Sequence, residues 1–135
     1  MFRFAICNEL FEDWPFDRVC TYARSIGYEG LELAPFTLAP LITDLDSRQR
    51  SMLRRQAEDA GLEIIGLHWL LARTEGLHLT TADASVRSRT AAYLIALAQA
   101  TRDLGGDLMG LGSPKQGSLT GGVSWDQGFD HATEV

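Results

Sequence analysis

The stretch Gly61-Leu62-Glu63-Ile64-Ile65-Gly66-Leu67-His68-Trp69 is apolar along most of its length and then ends in a histidine and a tryptophan. Two other stretches share its form: GYEGLELAP at 27–35 and GGDLMGLGS at 105–113. Each opens on glycine, places an acid two residues later, runs apolar to a leucine in seventh position, and then changes character. Each opening glycine also closes a stretch with helical periodicity. Phe16, Val19, Cys20, Ala23 and Ile26 precede Gly27; Leu53, Ala57 and Ala60 precede Gly61; Val86, Thr90, Leu94, Leu97, Thr101 and Leu104 precede Gly105. A glycine just past a helix end adopts the left-handed conformation that other residues resist.

The predicted order is strand (2–8), helix (15–26), strand (29–34), helix (47–60), strand (63–68), helix (83–104), strand (107–112). Strands separated by helices of this length pair in parallel through right-handed crossovers, so the fold class is α/β. The repeat alone does not separate a barrel from a doubly wound sheet. The two long connections, 35–46 and 70–82, follow the second and third strands. Loops at the carboxyl ends of strands are where α/β proteins place their sites.

Alternate residues of a parallel strand face opposite sides. Leu31, Leu33, Ile65, Leu67, Met109 and Leu111 share the parity expected to face the helices. The other parity carries Gly30, Glu32 and Ala34, then Ile64, Gly66 and His68, then Leu108, Gly110 and Gly112. An ionised carboxylate does not enter a dry interior unpaired. Glu32 and His68 are therefore expected to face a shared polar cavity at the strand ends. The competing readings are a histidine bonded to a loop, and an ion pair between Glu32 and an arginine. Trp69 fits packing and the apolar face of a sugar ring equally well.

At 135 residues, with 45% hydrophobic and 22% charged residues, the chain has the make-up of one globular domain. A formal charge of −6, with 12 Lys and Arg spread along the chain, argues against a nucleic-acid partner. No window approaches the roughly 18 consecutive apolar residues of a membrane span, and the apolar run near the N-terminus is too short for a secretory signal. Cys7 and Cys20 lack metal-ligand spacing and read as reduced core thiols of a cytoplasmic protein. Asp13-Trp14-Pro15 reads as a helix start with proline in the first turn, and Trp14 as a candidate for the pocket mouth. The arginines of the second helix (Arg48, Arg50, Arg54 and Arg55) read as a solvated face, and His78 and His131 as surface residues.

After the fourth strand, Ser124 and Gln127 fit a capping box, with Phe129 and Ala132 following at helical spacing. Residues 113–135 thus read as a loop and the first turns of a fourth, truncated helix. Four strand–helix units are about half of the ~250 residues of an eightfold barrel. The chain reads as a single domain over 1–135.

The motifs FAICNELFEDWPFD, GYEGLELAP, EDAGLEIIGLHWLL, ASVRSR and GLGSPKQGSL together resemble the sugar phosphate isomerase/epimerase family. These are the xylose-isomerase-like TIM barrels, which also include tagatose-type 3-epimerases and endonuclease-IV-like enzymes. The resemblance covers essentially the whole chain, as the N-terminal half of such a barrel, and implies a single partial (β/α)8 barrel domain over 1–135. It implies a sugar or polyol substrate, proton transfer through an enediol intermediate, and a divalent metal (Mn, Mg, Co or Zn). In the family that metal is held by two Glu, an Asp and a His from the later strands, so this chain is expected to ligate none fully and to be inactive alone. The resemblance places the end of the first strand (Asn8, Glu9), Glu32, His68 with Trp69, and the loop with Ser113 and Lys115 in the substrate pocket; the candidate catalytic residues are Glu32 and His68, and the candidate substrate-binding residues Asn8, Trp14, Trp69, Ser113 and Lys115. Gly112 stands where nuclease-like relatives place a second histidine, which argues against a zinc cluster of that type. Gly117 replaces the arginine of the family's SPKQR loop, leaving Lys115 as the one cation there. An alternative is a non-catalytic, sugar-binding half-barrel that self-associates through its outer strand edges, which would otherwise be a liability.

Overall fold

The computed structural model describes residues 2–135. Its strands are β1 (Ala5–Cys7), β2 (Gly30–Leu33), β3 (Glu63–His68) and β4 (Leu108–Gly110), and its helices are α1 (Phe16–Ser25), α2 (Ser47–Asp59), α3 (Ala84–Leu104), the single turn α4 (Pro114–Gly117) and α5 (Trp125–Glu134). The four strands form one parallel sheet in the order β1-β2-β3-β4. Sequential parallel order with a helix after each strand is the arrangement of a barrel wall and excludes a doubly wound sheet, whose strand order reverses.

The repeated glycines act as expected. Gly27, Gly61 and Gly105 have φ of 101°, 78° and 92°. Each ends a helix and turns the chain back toward the sheet. The other helix ends are held by side chains. Asp46 and Gln49 form a capping box on α2, Asp83 accepts from Ser85 N–H and Val86 N–H on α3, and Ser124 and Gln127 cap α5 as the sequence indicates. Pro15 is the N-cap of α1, one position before the first turn.

One face of the sheet makes the core. Leu31, Leu33, Ile64 and Leu67 pack against Val19, Cys20 and Ala23 of α1, Ala57 of α2, and Tyr93, Leu97, Ala100 and Leu104 of α3. Two expectations about strand parity fail here. Ile65 does not share a face with Leu67, because β3 carries a bulge: Leu31 pairs with Ile64, while the next residue, Glu32, pairs with Gly66. Ile65 is the extra residue, and its Cγ2 lies 3.1 Å from where a Cβ on Gly30 would sit, on the side away from the helices. Ile64 takes its place in the core. Met109 and Leu111 remain exposed, because β4 is the outer strand with a neighbour on one side only.

The long loops are tied down by specific bonds. Tyr93 Oη accepts from Ile42 N–H at 3.0 Å, fixing 35–46 to α3. Arg50, expected to be solvated, instead donates to the Leu45 carbonyl and to Asp103. The 70–82 loop is held by Thr90 Oγ1, which accepts from His78 N–H, and by the Gln116 carbonyl, which accepts from Leu79 N–H. His78 and His131 are both half-buried here, contrary to a surface reading, because this loop packs against α3 and α5. His78 Nε2 is buried without a partner, and His131 Nδ1 lies 3.1 Å from the Thr80 carbonyl.

Candidate functional site

At the carboxyl ends of the first three strands four side chains meet on the face opposite the helices. The register aligns Cys7 with Glu32, and Glu32 with Gly66, two residues before His68. His68 Nδ1 lies 3.1 Å from Glu32 Oε2. Its other nitrogen, Nε2, lies 2.7 Å from Cys7 Sγ and 3.6 Å from Glu9 Oε2. The pairings assign the proton: Nδ1–H donates to the Glu32 carboxylate, and Nε2 accepts from the Cys7 thiol. The imidazole is thus held at both ends, which fixes its ring orientation and tautomer. All four side chains are only partly exposed. Burial, reinforced by the nearby carboxylates of Glu9 and Glu32, pushes the Cys7 thiol up to about 11, so it stays protonated at neutral pH.

The local sequence accounts for this meeting. Glycines flank the histidine on the same face: Gly66 pairs with Leu108, and any Cβ there would fall 2.2 Å from the Leu108 carbonyl oxygen. A Cβ at Gly110, opposite His68, would lie 3.2 Å from His68 Cβ. Small residues let β4 approach and leave space beside the imidazole. Immediately after His68 the chain turns sharply at Trp69, which has φ of 54°. A bulky residue in the left-handed region is an outlier that its surroundings must hold in place. The Trp69 ring lies 6.5 Å from the His68 ring and packs beside Gly112.

Glu32 and His68 are brought together as expected, and Trp69 borders them. Asn8 is buried with both ends of its amide engaged: Oδ1 accepts from Ala34 N–H at 2.8 Å, and Nδ2 donates to Thr37 Oγ1 at 2.7 Å. Ser113 is buried too, its Oγ accepting from Leu71 N–H at 2.9 Å. Both residues act as ties between loops. Trp14 packs with Phe11 and Tyr22 beneath the Arg18 guanidinium, 3.9 Å from its ring. It lines, with Asn8 and Phe36, a cleft of about 470 Å³ whose walls include neither Glu32 nor His68. Lys115 is exposed on α4.

Cys7 is the residue sequence reasoning misplaced. It is not a core thiol like the fully buried Cys20; it lies on the opposite face, against His68. Ile6 and Cys7 face opposite sides of β1, and the pairing of Cys7 with Glu32 sets which side is which. Among the described residues one group could hold a metal ion: Cys7, Glu9 and His68, with ligand atoms all within 4.8 Å of one another. That donor set is a thiol, a carboxylate and an imidazole. It does not match the family's two Glu, Asp and His.

Among the described residues no helix is long and apolar enough to cross a membrane. No curated protein matches the sequence. Solved structures that share the fold include two epimerases. One is D-psicose 3-epimerase in the presence of D-fructose (TM-score 0.74, 14% identity), and the other is D-psicose 3-epimerase with D-tagatose from Clostridium cellulolyticum H10 (TM-score 0.75, 13% identity). Each alignment covers 98% of this chain and 45% of the epimerase, so the chain spans less than half the length of those enzymes. The four strands correspond to the N-terminal half of a TIM barrel. The family model for the xylose isomerase-like TIM barrel matches residues 20–135, and the chain belongs to that family.

Proposed function

We propose that this chain supplies the N-terminal half of a sugar isomerase or epimerase, acting on a ketose, its phosphate or a related polyol by proton transfer through an enediol intermediate. The observation that carries this reading is the Glu32–His68 pair, 3.1 Å apart at the carboxyl ends of adjacent barrel strands. Such a pair can bind vicinal hydroxyls and pass a proton between carbon-bound oxygens. Trp69 offers an apolar ring face beside it, and Lys115 a cation for an anionic substituent. Asn8 and Ser113 shape the pocket through the loops they hold, and Trp14 borders the neighbouring cleft. The two epimerase structures, which carry ketohexoses, agree with a ketose substrate.

Removing a proton next to a carbonyl also requires a positive charge on the developing enediolate oxygen, which a divalent metal supplies in a complete barrel. The residues of this chain do not reproduce the family's ligand set, so the 135-residue chain alone is inactive. Two measurements test the reading. Nuclear magnetic resonance titration with D-fructose should shift the His68 and Trp69 ring signals; unchanged spectra at saturating ketose would remove the pocket. An assay for ketohexose epimerisation with added Mn2+ should show no turnover, and turnover would overturn the claim of inactivity.

A second reading is favoured by the edges. β1 and β4 are both outer strands, and Leu108, Leu111, Trp125 and Phe129 are exposed near the β4 side. Two copies pairing these edges would form a non-catalytic, sugar-binding closed barrel. Light scattering decides it: a dimer that binds ketose without turnover supports this reading, and a clean monomer removes it.

A further inference from the structure

We propose that Cys7 Sγ, Glu9 and His68 Nε2 form a site for zinc or a similarly thiophilic divalent ion, with Glu32 orienting the histidine from behind. The inference goes beyond the sugar-enzyme reading and does not depend on it.

Three observations converge. The three ligand atoms cluster within 4.8 Å on the polar face of the sheet, at the mouth formed by the ends of β1 and β3. Their chemistry is selective: a sulfur and an imidazole nitrogen favour zinc over magnesium or calcium, which prefer oxygen. Finally, the histidine's remote nitrogen is already bonded to a carboxylate, Glu32, at 3.1 Å. A carboxylate behind a ligating histidine fixes the tautomer that leaves the other nitrogen free for the metal, and raises its basicity.

The distances are compatible with tetrahedral zinc. Bond lengths of about 2.0–2.3 Å place N and O ligands about 3.4 Å apart, and N and S ligands about 3.6 Å apart. Glu9 Oε2 and His68 Nε2 are 3.6 Å apart already. Cys7 Sγ, at 2.7 Å from Nε2, withdraws by about 0.9 Å, a rotation of about 30° about its Cα–Cβ bond, and its thiol proton passes to water as the metal–sulfur bond forms. Three protein ligands leave a fourth position open to water or to an oxygen of a bound molecule, the pattern of an open zinc site. This donor set draws on β1, the turn after it and the end of β3.

The test uses the intact 135-residue chain, stripped with chelator and reloaded with Zn2+ or Co2+. One equivalent of zinc should be retained, and the cobalt form should show thiolate-to-metal charge transfer and tetrahedral visible bands. Cys7→Ser should abolish the charge-transfer band and weaken zinc binding at least about tenfold, and Glu32→Gln should weaken it about 10- to 100-fold. Should Cys7→Ser fail to fold, the unmutated chain still decides. Zinc should slow modification of Cys7 by N-ethylmaleimide about tenfold or more, read by peptide mass, while the fully buried Cys20 serves as the internal reference. No retained zinc, a cobalt spectrum without a thiolate band, or equal modification rates with and without zinc would overturn the site.

Discussion

The two faces of this sheet are made to different standards of closure. On the helix side, Leu31, Leu33, Leu67, Leu97 and Leu104 are sealed from solvent, and even the threonine hydroxyls there are bonded within α3. On the other side lie a cysteine, two carboxylates and an imidazole, all part-exposed, with glycines where strands approach closely. Going outward from β2 and β3 to β4 and α5, apolar groups also stay open: Met109, Leu111, Trp125 and Phe129. The centre of the sheet on its helix side is finished packing; its inner face and outer edge are surfaces for something else. The sealed core and the polar cluster therefore occupy opposite faces of the same strands.

Substitutions can break or sharpen that contrast. Leu67→Ala, in the sealed layer, should destabilise by about 2–5 kcal/mol in urea titration, because the cavity it leaves cannot collapse. Leu111→Ala on the open edge should change stability by less than about 0.5 kcal/mol. Equal losses at the two positions would show that the edge is packed in solution, as self-association requires. Gly66→Ala should cost about 1–3 kcal/mol and loosen β4, since the added methyl meets the Leu108 carbonyl oxygen. Amide exchange of β4 should rise more than that of β2. Tyr93→Phe should cost about 1–2 kcal/mol by leaving Ile42 N–H buried without an acceptor.

Removing the α5 cap with Ser124→Ala should lower stability by about 1 kcal/mol or less, confined to that helix. The smallest effect concerns pH. The Asp83 carboxyl is held below its ordinary value of 3.8, first by the Ser85 hydroxyl and then by backbone N–H groups of Ser85 and Val86. A depressed carboxyl stabilises the fold above its unfolded value, and that contribution fades as pH falls below 3.8 toward the folded value. Asp83→Asn should lose that contribution at neutral pH and flatten the acid limb, so that the two stability curves converge in acid; an unaltered acid limb would show that the cap does not couple to folding.

Most of the architecture was legible because it is periodic. The glycine that follows each helix and the apolar stripe before it mark the alternation of helices and strands, and Ser124 with Gln127 marks the last helix. Glu32 and His68 were legible as a pair because both break an apolar strand at the same end and on the same parity. What escaped depends on how strands align, not on what they contain. A bulge at Ile65 exchanged the roles of two adjacent isoleucines that no local pattern distinguishes. Cys7 escaped because a three-residue strand is too short to display its alternation, and its pairing opposite Glu32 is set by the stagger between strands. The loop ties made by Asn8 and Ser113 escaped for a related reason: their partners, Ala34 and Leu71, lie 26 and 42 residues away.

Gly27, Gly61 and Gly105 give the chain three identical exits from its helices, all at the amino end of the sheet. Because the angle of re-entry is set there by one residue, the opposite end is free to gain or lose residues without shifting a strand. Insertions and deletions should accordingly be absorbed between 35 and 46 and between 70 and 82, where the connections are longest. One rim of the wall works as its foundation; the other is where new specificities can be written.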